Sequence, residues 1–235
     1  MVERHRIVKE RRPYLLHARA DSMDRTRARI TGAAIELHGS VGPRATTMTA
    51  VAERAGITRA TLYRHFPTEA ELVAACSAEW RTANPSPDPS TWSAIRDPHE
   101  RVATALAALY GWYRSGESMR ANLLRDLDVL PDPIRAGITS YPIAIGATLD
   151  EGWAEPSRLR LAAIGHAVAF ETWRSLAREG LTDSEAARLM TELVHGAAEA
   201  HSSDSVERRG ASNRDSKIRM AGDSASVQVP ADDQA

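Results

Sequence analysis

Apolar positions recur along this chain at helical spacing, and the alternation of a strand barely occurs. Val102, Leu106, Leu109, Tyr110 and Tyr113 fall on one helical face. Ala186, Leu189, Met190, Leu193, Val194 and Ala197 fall on another. Between Leu159 and Ala177, the residues Ala163, Ile164, Ala167, Phe170 and Trp173 spread apolar character over more than one side, a width that suits a helix packed between two partners. Cap signals agree. Thr68-Glu69-Ala70-Glu71 and Thr182-Asp183-Ser184-Glu185 read as capping boxes, in which a hydroxyl accepts an orphan N–H and a carboxylate reaches back to the cap. Asp97-Pro98 and Asp132-Pro133 place Asp at a cap and Pro at the first helical position. Gly116 and Gly180 mark C-terminal stops. Several helices with short links predict an all-α fold, with predicted long helices over Ser157–Gly180 and Thr182–His201.

The segment Thr47 to Phe66 predicts a helix, a tight turn and a second helix. Met48, Val51, Ala52 and Ala55 form the inner face of the first. Gly56 supplies the turn and Ile57 fills the corner. Thr58 caps the second helix, whose Leu62 and Phe66 return to the core. Ala52 is small where the helices cross. This spacing is the helix-turn-helix arrangement. It leaves Arg59, Thr61, Tyr63, Arg64 and His65 facing outward, the chemistry of groove and phosphate contacts: Arg reads guanine bidentately, while hydroxyls and His hold phosphates.

Charge sharpens this reading. The 235 residues carry a net charge of −1, which excludes a protein basic throughout. The charge is unevenly placed: Met1–Pro67 holds 13 basic against 6 acidic residues, +7, and the remainder is −8. Nearly all the positive charge is arginine, with lysine only at Lys9 and Lys217, as a GC-rich coding sequence would give. A basic head beside an acidic body suggests nucleic-acid contact at one end. Cys76 is the only cysteine, so disulfide scaffolds and cysteine-based metal sites are excluded, and its apolar surroundings predict an inert thiol. No apolar run is long enough to span a membrane and none follows the basic N-terminus as in a signal peptide, which makes the cytoplasm the default expectation. No phosphate-binding glycine loop, Gly-x-Ser-x-Gly elbow or His-Glu-x-x-His motif is present, so neither an enzyme nor a cofactor nor a metal site is expected. The predicted organisation is a basic, disordered extension over 1–23, a helix-turn-helix domain over 24–80, the Asn84–Pro89 linker, a helical domain over 81–202 and a disordered tail over 203–235. Met23 stands where translation of the structured part could begin.

Further residues extend the pattern. Ile30 to Leu37 reads as an amphipathic first helix, Gly42-Pro-Arg-Ala-Thr-Thr leads into the motif, and Thr61-Leu-Tyr-Arg-His-Phe closes it before the Thr68 helix. Over Arg25–Trp80 the chain resembles the DNA-binding domain of the TetR family of bacterial regulators, and Asp97–His201 is similar in helix count to that family's C-terminal domain. The resemblance implies a homodimeric repressor on a palindromic operator, paired through roughly residues 157–201 and released by a small-molecule effector. It implies that Thr47 and Tyr63 hold phosphates with His65 helping, that Arg59 and Thr61 face bases or adjacent phosphates, and that Arg44 makes a lead-in phosphate contact. Glu69 stands where the family often has Lys, which weakens a contact from the fourth helix, and a basic arm of Arg25, Arg27 and Arg29, extended by Arg11 and Arg12, is expected to compensate along the DNA backbone or minor groove. Trp112, Tyr113, Met119, Leu123, Leu127, Tyr141, Ile145, His166, Phe170 and Trp173 are candidates to line the effector pocket, although core packing explains any one of them. An activator, a regulator without ligand, or a helical small-molecule-binding or adaptor protein with a vestigial helix-turn-helix remain alternatives.

Overall fold

The computed structural model describes residues 3–200, with side chains from residue 21 onward. The described residues are helical and contain no strand. In order they form α1 (Glu3–Ser40), a 3-10 turn (Pro43–Ala45), α2 (Met48–Arg54), α3 (Arg59–His65), α4 (Glu69–Ala83), α5 (Ser90–Ser93), α6 (Pro98–Ser115), α7 (Glu117–Arg125), a second 3-10 turn (Leu127–Val129), α8 (Asp132–Leu149), α9 (Arg158–Ala167) and α10 (Phe170–Arg178). A last helix, α11, runs over residues 183–200.

The predicted caps place most boundaries. Glu71 N–H donates to Thr68 Oγ1 at 3.2 Å, and His99 N–H donates to Asp97 Oδ1 at 3.0 Å. The Thr182 box is complete: Thr182 N–H donates to Glu185 Oε2 at 2.9 Å and Glu185 N–H to Thr182 Oγ1 at 3.2 Å. That carboxylate is accordingly held below the usual glutamate range, first by the Thr182 backbone N–H. Gly180 ends α10 with a φ of 88°.

Two expectations are corrected. The extension over 1–23 was expected to be disordered, yet α1 already begins at Glu3. Propagating a helix from an anchored segment needs no new nucleus, and α1 runs through this stretch in spite of Pro13. The helix expected over Ser157–Gly180 is two helices. Ala169, at ψ 132°, is extended and separates α9 from α10, without a proline or glycine to announce the break. Thr172 Oγ1 lies 3.3 Å from His166 Nδ1 across it. The expected tail over 203–235, and His201, lie outside the described residues.

The chain divides into two compact units. One contains residues up to Pro89 together with Ala108–Ile145, and the other contains Ser90–Ala107 with the residues from Gly146 onward. In the second unit Val102, Leu106, Ile164, Trp173, Met190 and Val194 are buried. Its two buried arginines are both hydrogen-bonded. Arg101 donates to the carbonyls of Ile95, Thr148 and Glu151. Arg160 donates from Nε to Asp150 at 2.7 Å and from Nη1 to the Glu155 carbonyl at 2.8 Å.

The first unit is organised by the C-terminal half of α1. Ile30, Ala33, Ala34 and Leu37 bury one stripe against Val51, Ala52, Ala55, Leu62, Phe66, Leu72 and Cys76. Cys76 Sγ lies 3.7 Å from His38 Nδ1, and burial pushes its thiol up to about 11, consistent with an inert packing role. The open carbonyls at the end of α1 are taken by α7. Asn122 Nδ2 donates to the His38 and Gly39 carbonyls at 2.9 and 3.0 Å. Arg125 Nη2 donates to the Val41 carbonyl at 2.9 Å and, with Nε, grips the buried Asp126 carboxylate. Asp126 in turn accepts the Arg44 backbone N–H at 3.1 Å.

Gly42 makes this clamp possible. Its φ of 92° disfavours other residues, and a Cβ there would collide with Arg125 Nη2 and Asp126 Oδ2. Gly42→Ala should therefore destabilise the fold by about 1–3 kcal/mol, measured by urea unfolding. A second expectation concerns pH. The Arg125 guanidinium first, and then the Arg44 N–H, hold the Asp126 carboxyl below the usual aspartate range. A depressed folded-state value means that stability is present above the unfolded pKa of about 4 and is lost as pH falls through the folded one. Asp126→Asn should be less stable than the parent at pH 7, and the gap should close with acidification; a gap that is constant with pH would refute this role.

Candidate nucleic-acid interface

The helix-turn-helix forms where the sequence places it. Thr47 caps α2, accepting the Ala50 N–H at 3.1 Å. Gly56, at φ 64°, turns the chain, and the Ile57 N–H closes the turn on the Ala52 carbonyl at 3.0 Å. Thr58 caps α3, accepting the Thr61 N–H at 3.2 Å, with the two hydroxyls 3.0 Å apart. Leu62 and Phe66 are fully buried.

Burying those two residues turns the other side of α3 outward. Arg59, Tyr63 and Arg64 are exposed, whereas Thr61 and His65 are half-buried. The Arg59 guanidinium lies 5.9 Å from the centre of the Tyr63 ring, so the two residues share one patch. Thr47 is exposed too, and a hydroxyl that accepts a capping bond keeps its own proton to donate. Thr47, Thr58, Arg59, Thr61, Tyr63, Arg64 and His65 thus sit on two capped helices around one turn, offering guanidinium, hydroxyl and imidazole groups without a carboxylate on α3.

Other predicted contacts are differently occupied. Arg44 lies in the first 3-10 turn, but its guanidinium pairs with Asp128 and approaches Asp126 Oδ1 at 3.9 Å. Arg27 Nη1 donates to the His65 carbonyl at 3.0 Å and its guanidinium lies 4.0 Å from the Phe66 ring centre. Arg29 donates to the Ala55 and Gly56 carbonyls. Both tie α1 to the open ends of α2 and α3, a holding role that sequence reading missed because the carbonyls they reach are 26 to 38 residues away.

The pocket candidates separate. Trp112, Met119, Leu123, Leu127, Tyr141 and Ile145 belong to the first unit, and His166, Phe170 and Trp173 to the second. Ile145 and Trp173 are fully buried, Phe170 and Met119 nearly so, and His166 is exposed. Trp112 and Tyr141 meet edge to face at 5.5 Å, Tyr141 Oη donates to the Pro87 carbonyl at 2.7 Å, and Tyr113 is buried against Trp112. Arg120, which sequence reading passed over, is buried among these rings. Its only signal was a charge beside Met119 on an amphipathic helix.

Residues 30–76 match the tetR family of bacterial regulatory proteins. The fold is similar to that of a TetR-like transcriptional regulator from Rhodococcus sp. RHA1, at 20% identity over 72% of this chain and 93% of that one, with a TM-score of 0.54. It is also similar to the TetR family transcriptional regulator PfmR from Thermus thermophilus, at 19% identity over 70% of this chain and 96% of that one, with a TM-score of 0.50. No functionally curated protein matches the chain. Among the described residues no helix is long and apolar enough to cross a membrane. Residues 30–76 are thus a domain of the tetR regulatory-protein type, and the chain around it shares the fold of these regulators.

Proposed function

We propose that this chain is a transcriptional repressor that binds a palindromic operator as a homodimer and is released by a small-molecule effector. The outward face of α3 carries the reading, because Arg59, Tyr63 and Arg64 are exposed on a helix whose opposite side is buried. Arg59 reads a base edge, Tyr63, Thr47 and His65 hold phosphates, and Thr61 and Arg64 border them. Thr58 fixes the helix beside the backbone. Arg44 reaches phosphate only by leaving Asp128. Residues 24–80 form the DNA-binding domain, and 81–202 form the ligand-binding and dimerisation domain. Effector and operator prefer different conformations, so each lowers affinity for the other.

Four exposed leucines support dimerisation through roughly residues 157–201. Leu159 and Leu161 on α9, and Leu189 and Leu193 on α11, each remain about half exposed, at 56, 49, 47 and 46%. Paired helices of two protomers would cover them.

The test is a mobility-shift titration on the DNA upstream of the chain's own coding sequence. Binding should weaken with a log–log salt slope of about −0.9 per phosphate neutralised, and a flat salt dependence would contradict DNA binding. Arg59→Ala should cost about 1–3 kcal/mol on the operator and much less on random DNA; equal losses would reduce Arg59 to a phosphate contact. The pair Leu189→Glu with Leu193→Glu should give a monomer in sedimentation and weaken operator binding, and an unchanged dimer would place the interface elsewhere.

A further inference from the structure

Arg120 differs from the other buried arginines. Arg101 and Arg160 are bonded to carbonyls and a carboxylate. Arg120 is only 6% exposed, yet its Nε and Nη2 have no hydrogen-bond partner among the described residues. Nη1 alone is used, donating to the Tyr113 carbonyl at 3.3 Å. The guanidinium lies 3.5 Å from the Trp112 ring centre and 5.4 Å from that of Trp80. Gly116 cradles it, since a Cβ there would collide with Nη1 and come within 3.1 Å of Trp80. Desolvation pushes the guanidinium down to about 10, the mark of a charge held without a compensating anion.

The two unused donors are a matched pair. Nε–H and one Nη2–H point the same way from the guanidinium plane, at the spacing of two carboxylate oxygens. Leaving such donors buried and unmet costs free energy that a bidentate anion recovers. One charge and two parallel donors suit a planar monoanion better than a phosphate dianion, which calls for more donors. The surroundings specify the rest. The guanidinium lies against Trp80 and Trp112, and these rings and Tyr141, which meets Trp112 edge to face, are all half-buried.

We infer that Arg120 anchors an organic monocarboxylate, whose two oxygens take Nε–H and Nη2–H and whose flat, apolar body lies against Trp80, Trp112 and Tyr141. The inference names the chemical class of the effector proposed above and rests on that reading only for the consequence for DNA.

The test uses the full chain, calorimetric titration, and benzoate, phenylacetate, indole-3-acetate and decanoate as probes, with the corresponding amides and inorganic phosphate as controls. At least one acid should bind, and its amide should bind about tenfold or more weakly. Arg120→Met should bring the acid down to the level of the amide and leave the amide unchanged, with an unfolding temperature no lower than the parent's because an unmatched buried charge is gone. Arg120→Lys, which keeps the charge and loses the fork, should also bind the acid about tenfold or more weakly and serves if the Met variant does not fold. Failure of all four acids to bind, or equal binding by parent and variants, overturns the inference, as does phosphate binding in preference to every acid. Operator affinity is measured separately. An acid that binds through Arg120 and leaves operator affinity unchanged supports the site and refutes its role as the effector site.

Discussion

The first unit depends on how one helix divides its surface. The stripe Ile30, Ala33, Ala34 and Leu37 of α1 forms the floor on which Val51, Leu62, Phe66 and Leu72 pack. That burial decides which side of α3 faces out. A helix of seven residues is too short to hold itself in water, so α3 exists because Leu62 and Phe66 are buried and Thr58 caps it. The same α1 ends in open carbonyls that need donors, and Asn122 and Arg125 of α7 provide them. Packing toward α2 and α3 and hydrogen bonding toward α7 therefore meet within about two turns of one helix. A shift of α7 relative to the His38–Val41 carbonyls would be felt at the lead-in turn and at Arg44.

Charge counted along the sequence overstates what is available to a polyanion. Of the seven arginines between Asp24 and Pro67, Arg27 and Arg29 hold helix-end carbonyls, Arg44 pairs with Asp128, and Arg54 lies 3.1 Å from Glu36. Arg25 is exposed on α1, and Arg59 and Arg64 remain on the outward face of α3. The head's excess of +7 is thus partly structural. In the proposed operator complex a few well-placed guanidiniums, rather than a diffuse basic surface, would carry recognition.

Buried arginines behave differently in the two units. In the second unit Arg101 and Arg160 are buried with hydrogen-bond acceptors that offset part of the desolvation cost. In the first unit Arg120 is enclosed by rings and the Gly116 cradle, and its two parallel donors are left over. A residue with the same chemistry therefore serves as a cross-link in two places and presents an incomplete binding fork in a third.

The helix-turn-helix, its two caps, the Gly56 turn and the outward α3 residues were legible in the sequence, because each depends on neighbours within about five residues. The same holds for the helix starts at Thr68, Asp97 and Thr182. Local cap and turn chemistry acts over one helical turn, and so does apolar periodicity. What remained hidden depended on partners far along the chain. The engagement of Arg44 by Asp126 and Asp128 spans more than 80 positions, and that of Arg27 by the His65 carbonyl spans 38. The break at Ala169 carries no residue signature. The unmet donors of Arg120 could not be read either, since a buried charge is defined by what surrounds it. Sequence determined the helix-turn-helix, its caps and which side of α3 is polar; tertiary structure decided where the chain breaks at Ala169 and which of the polar groups are already committed, because burial and pairing are properties of contacts rather than of positions in the chain.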